Sequence, residues 1–222
     1  MFGVSWQAEL FDELTLRLTG SGQIEMVGSV ADPAVITDGW SDLDVMITLM
    51  GATQVDLLAG FDVWAVSDVR SDENQVLRII LRDGRRLDMV VDGGVVAVPP
   101  SACDNDIRFV AAVAAMKLGR GDHLIGLHLT LDLMRSCLVL AMQLRDRDAG
   151  TTVHRFGSER DALVEEITAL LGSRVEVLPR PNIVERTLDL YGHWRHQLDP
   201  CYEPDWFGLG SVLDRGLSRS SG

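Results

Sequence analysis

Apolar residues recur every four positions at Trp6, Leu10, Leu14 and Leu18. That spacing predicts an amphipathic helix over residues 5–19, with Ser5 as its N-cap and Thr-Gly-Ser-Gly at 19–22 as its stop. Strand-like stretches come next. Residues 24–30 read as a first strand, and 43–50, almost wholly apolar, as a second; between them lies a loop over 31–41 rich in Asp, Pro and Gly. Three further strands are expected at 61–70, 75–81 and 85–91, the last two joined through Asp83-Gly84, a hairpin signal. The first half therefore reads as a mixed sheet with one or two helices.

The pattern changes after residues 98–106, where Pro99-Pro100 marks a boundary. From Ile107 the period is helical: Phe109, Val113 and Met116 share one face of a helix that breaks near Gly119. Residues 124–144 form a second helix too apolar for a surface element, and further helices are expected over 159–171 and 182–197. The expected fold class is α+β. A mixed β-sheet domain with flanking helices spans residues 1–98, a helical bundle spans 104–215, and the polar stretch 216–222 frays.

Composition narrows the partners. The 222 residues carry a formal charge of −13 with no long basic run, which argues against DNA or an anionic membrane and favours a cationic small molecule. Cys103, Cys137 and Cys201 are far apart, odd in number and without metal-binding spacing; they read as reduced and mostly buried, in a cytoplasmic protein. The N-terminus lacks the basic start and apolar core of a signal peptide, and no uninterrupted apolar run reaches membrane-spanning length.

Two acids stand out against this background. Asp42 and Asp44 flank Leu43 at the start of the apolar second strand. On a strand they project side by side, while Leu43 and Val45 point into the core. Adjacent carboxylates repel and Asp is depleted in strands; a hard cation such as Mg²⁺ between them resolves both problems. If the strand instead begins one residue later, both acids sit in a solvated turn. Gly28-Ser29, at the expected end of the first strand, adds a backbone able to approach a ligand closely and a hydroxyl able to hold a phosphate oxygen.

Gly28-Ser29, twelve intervening residues and then DLDV at 42–45 resemble the signature of the nucleotidyltransferase superfamily of the polymerase-beta type. WSDLDVMI (40–47), KLGRGDHLIGLHLTLDL (117–133) and RDAGTTVHRFG (147–157) are similar to blocks in aminoglycoside 6-adenylyltransferases and their relatives. The resemblance implies a Mg²⁺-dependent enzyme moving a nucleoside monophosphate, AMP from ATP, onto a hydroxyl of a small cationic acceptor such as an aminoglycoside, the chemistry of antibiotic resistance. It further implies that Asp42 and Asp44 hold two Mg²⁺ ions and that Gly28 and Ser29 cradle the β- and γ-phosphates.

The family carries a third acid on a later strand. Asp88 fits, because Leu87, Met89 and Val91 share the opposite face; a solvent-facing hairpin Asp is the plain alternative, and Asp92 is the rival. Asp88 would complete a metal site or act as general base. By resemblance Lys117, with Arg120 near it, reaches the triphosphate, although a lysine at a helix end also has a structural explanation. His128 and Asp132 share a helical face, as a buried pair or part of a cleft, and His154-Arg155 anchors the fold or meets phosphate. Glu185, Asp189 and Trp206 belong to an acidic, aromatic stretch suited to a polycationic sugar, or to an ordinary closing helix. Two other readings stay open: a nucleotidyltransferase acting on protein or RNA, as in toxin–antitoxin systems, and a non-catalytic nucleotide-binding relative.

Overall fold

The computed structural model describes residues 6–31, 38–51, 54–151, 159–171 and 180–218. Ser5 lies outside them. The fold is α+β. By internal packing the chain divides into two compact units, residues 1–109 with 210–222, and residues 110–209.

The first unit begins with helix α1 (Trp6–Arg17) and continues through β1 (Gly22–Val27), a short helical turn α2 (Gly28–Ala31), β2 (Leu43–Leu49), β3 (Gln54–Val55), β4 (Val63–Arg70), β5 (Asn74–Leu81), β6 (Arg86–Asp92) and β7 (Val95–Val96). Five strands form one sheet in the order β1-β2-β6-β5-β4. Only β2 and β6 run parallel within it; the other neighbours are antiparallel. The two-residue strands β3 and β7 pair separately. They are too short to leave a pattern in the sequence.

Alternation decides which face is core. Leu43, Val45, Ile47 and Leu49 of β2, with Leu87, Met89 and Val91 of β6, are buried against Leu10, Leu14 and Leu18 of the first helical stretch. The residues between them point to the other face, where Met46 is 41% exposed. The first strand stops three residues earlier than expected. Gly28 has φ +70°, a left-handed conformation that turns the chain out of the strand and into α2.

The second unit is helical. It contains most of α3 (Asn105–Gly119), then α4 (His123–Asp148), a 3₁₀ turn at Glu159–Ala162, α5 (Leu163–Leu171) and α6 (Asn182–Leu198). Its core joins Met134, Cys137, Leu140 and Leu144 of α4 to Ile167, Leu170 and Trp194. By length and mean hydropathy alone α4 resembles a membrane-crossing helix, but Asp132 and Arg135 interrupt its apolar run, as expected, and one side of it packs in the core of this unit. Cys137 is buried, and that burial pushes its thiol up to about 12. Cys103 and Cys201 are exposed, which corrects the expectation that the cysteines are mostly buried.

A last helix, α7 (Phe207–Ser218), was not expected. It continues through Gly216–Ser218, where fraying was expected; residues 219–222 lie outside the described set. From Gly210 onward it packs with the first unit. Arg215 donates to the Asp83 carbonyl at 2.6 Å and stacks its guanidinium over the Trp6 ring.

Candidate active site

The loop before β2 is tightly tied. Asp38 accepts from the Trp40 amide at 3.0 Å and from the Ser41 hydroxyl at 2.9 Å, an Asx-type turn. Arg86 of β6 is almost fully buried and donates to the carbonyls of Gly39 at 3.0 Å and Ser41 at 2.7 Å. The Nη2 of a buried guanidinium, bonded to both carbonyls, fixes the backbone that delivers the next residue, Asp42.

β2 begins at Leu43, so Asp42 stands just before the strand and Asp44 within it. Neither acid is left in a solvated turn. In the parallel pairing of β2 with β6, Asp44 lies directly beside Asp88. Paired residues share a face, and oxygens from Asp42, Asp44 and Asp88 all lie within 4.8 Å of one another. Each of the three side chains is half-buried. Asp92 occupies the same face of β6 opposite Thr48, outside this cluster.

Three carboxylates so close are unfavourable when all are charged. Burial, then Asp42, push Asp88 up to about 7, with a smaller push from Asp44, against the pull of Arg78 and Arg86. The donor set fits a divalent ion. All three are hard oxygens, and an ion with Mg–O bonds of about 2.1 Å spans donors up to roughly 4 Å apart, so a small side-chain closure suffices.

Gly28 completes the geometry. A Cβ there would lie 2.6 Å from the Asp44 Oδ2 atom. Any side chain at this position, just past the end of β1, would thus collide with the Asp44 carboxylate unless that carboxylate moved. The Ser29 side chain is not among the described ones.

Sequence reasoning passed over two arginines of this site. Arg86 and Arg78 lie within the expected strands 85–91 and 75–81 and carry no role there. Arg78 of β5 is paired across from Asp88, and its Nε lies 3.4 Å from Asp88 Oδ2. The available signal was its position: in QVLRIIL it falls on the face opposite Leu77 and Ile79.

The remaining candidates lie in the second unit or outside the described residues. Lys117 in the last turn of α3 pairs with Asp122 at 3.6 Å, and Arg120 is exposed beyond the helix. His128 is exposed on α4 and Asp132 pairs with Arg135 at 2.8 Å, so of the two readings the buried His–Asp pair is not formed. Glu185 and Asp189 are exposed on α6, and Trp206 meets Tyr191 edge-on at 6.3 Å. His154 and Arg155 lie outside the described residues.

No family model matches the chain, and no curated protein matches it significantly. Among solved structures, an aminoglycoside 6-adenyltransferase from Bacillus subtilis is similar at 11% identity and a TM-score of 0.35, over 99% of this chain and 100% of that one. A likeness that loose leaves function to be argued from the chain's own residues.

Proposed function

We propose that this chain is a Mg²⁺-dependent nucleotidyltransferase that moves AMP from ATP onto a hydroxyl of a small cationic acceptor, such as an aminoglycoside. The observation that carries the reading is the convergence of Asp42, Asp44 and Asp88 from two strands far apart in sequence. A single Asp-x-Asp is common. A third acid placed beside it by parallel pairing, with a bare glycine backbone against one carboxylate, suits a site for cations and phosphates.

Asp42, Asp44 and Asp88 are the residues that hold the metal. When bound, divalent ions neutralise charge on the attacked phosphate and on the pyrophosphate that leaves. The bond from the acceptor oxygen to the α-phosphorus forms as the bond to pyrophosphate breaks. Asp88 would either complete the metal site or, ionised, take the acceptor's hydroxyl proton. Gly28 keeps space at Asp44 for a ligand rather than a side chain. The formal charge of −13 favours approach of a cationic acceptor.

The test is pyrophosphate release from ATP and Mg²⁺, screened over streptomycin, other aminoglycosides and lincosamides, with Asp42→Asn as control. Release with one acceptor class, absent in the control, is the expected result. Silence over the panel with ATP still bound would remove the antibiotic acceptor. Equal release by the Asp42→Asn protein would remove the metal assignment.

A further inference from the structure

A row of side chains crosses the sheet face opposite the buried Leu43, Val45, Leu87 and Met89. Asp44 on β2 stands beside Asp88 on β6, Asp88 beside Arg78 on β5, and Arg78 beside Ser67 on β4. Neighbouring strands are about 4.8 Å apart, so the guanidinium of Arg78 needs only a small swing to meet Asp88 or to leave it. Its side chain is 57% exposed, and its ion pair with Asp88 is 3.4 Å long. A pair that open contributes little to folding. The neighbouring arginine, Arg86, is by contrast buried and bonded to backbone carbonyls.

We propose that Arg78 is an exchangeable counter-cation for the acidic cluster. It holds Asp88 while no divalent ion is present, gives that carboxylate up when one enters, and then binds phosphate oxygens of the nucleoside triphosphate. The inference rests on the reading of the three acids as a metal site.

The physical argument is competition. Asp88 Oδ2, the atom nearest Arg78, belongs to the same carboxylate that would face the ion. A guanidinium and a divalent ion on one carboxylate repel, so the singly charged and more exposed group yields. Displaced, Arg78 is a charged fork anchored one strand from the cluster, where a metal-bound triphosphate would bring its anionic oxygens. Arg binds such oxygens two at a time. Both halves of the exchange follow from one position: opposite the third acid, on its face and exposed.

Removing Arg78 should therefore move two affinities in opposite directions. In Arg78→Gln, Mn²⁺ alone should bind about threefold to tenfold more tightly, because its internal competitor is gone. The non-hydrolysable α,β-methylene analogue of ATP, with Mn²⁺ saturating, should bind about tenfold more weakly. Arg78→Lys, which keeps the charge but not the fork, should lie between on both measurements. Calorimetry on the full chain gives both constants, and thermal melting checks that the exposed substitution leaves the fold intact. A purely structural role predicts no opposed change. Mn²⁺ affinity unchanged or weaker in Arg78→Gln, or unchanged nucleotide affinity, overturns the exchange while leaving the metal site standing. Failure of the wild-type protein to bind Mn²⁺ overturns the metal site and the exchange together.

Discussion

Asp42→Asn is expected to abolish turnover and yet raise the melting temperature of the metal-free protein. Loss of one carboxylate from a site that must hold divalent cations against a triphosphate should lower kcat/KM by about 10³-fold or more. Stability moves the other way because, without metal, the three acids repel and are partly desolvated. After burial, Asp42 is the largest influence raising Asp88. The pH dependence follows. The unfolded chain releases the Asp88 proton near the ordinary carboxylate value of about 3.9, whereas the folded chain keeps it until about 7. Between those values the folded state binds more protons, so this group's contribution to stability falls as pH rises through the window and levels off above 7. Melting curves from pH 5 to 8, with metal chelated, should show a shallower fall for Asp42→Asn than for wild type, and a Tm higher by roughly 2–4 °C for each kcal/mol of repulsion removed. An unchanged or lower Tm at pH 8 would mean that the acids are not in mutual strain.

The second large effect is expected at Gly28. Alanine there meets two obstacles: a φ of +70° and a Cβ only 2.6 Å from Asp44 Oδ2. The first is a backbone penalty of about 1–2 kcal/mol; the second forces the Asp44 carboxylate aside. Gly60→Ala separates them, since Gly60 has φ +77° and nothing within 4 Å of its would-be Cβ. Both variants should melt lower, by roughly 2–8 °C. Only Gly28→Ala should also lose Mn²⁺ affinity, with kcat/KM falling about 10²-fold. If the two variants behaved alike in metal binding, the close approach of the β1 end to Asp44 would have no functional meaning.

How far the site could be read in advance depended on which of its contacts are local. Alternation along β2 and β6 put Asp44 and Asp88 off the core face, because Leu43, Val45, Leu87 and Met89 claim the other. That β2 and β6 would lie side by side, in a register that puts Asp44 against Asp88, is long-range pairing that no short window contains. The two arginines were missed for the same reason. Arg86 is defined by the carbonyls of Gly39 and Ser41, more than forty positions away, and Arg78 by its partner on another strand. The last helix was hidden by composition. Gly208, Gly210 and Gly216 dilute its apolar pattern, residues 216–222 read as a tail, and only the burial of Leu209, Val212 and Leu213 shows a helical face. The end of the first strand was misplaced because Gly28 was read for its closeness to ligand, whereas its positive φ also ends the strand there.

The proposed function depends on the three acids forming a divalent-metal centre, so divalent-ion binding is the quantity to measure most directly. The chelated wild-type and Asp42→Asn proteins should be titrated with Mn²⁺ by calorimetry at pH 7, in two buffers of different ionisation enthalpy. Wild type should bind saturably, with protons released as Asp88 is forced to ionise, and binding should be weaker by about two orders of magnitude in the variant. Indistinguishable titrations of the two proteins, or no saturable binding by wild type, would contradict the metal centre.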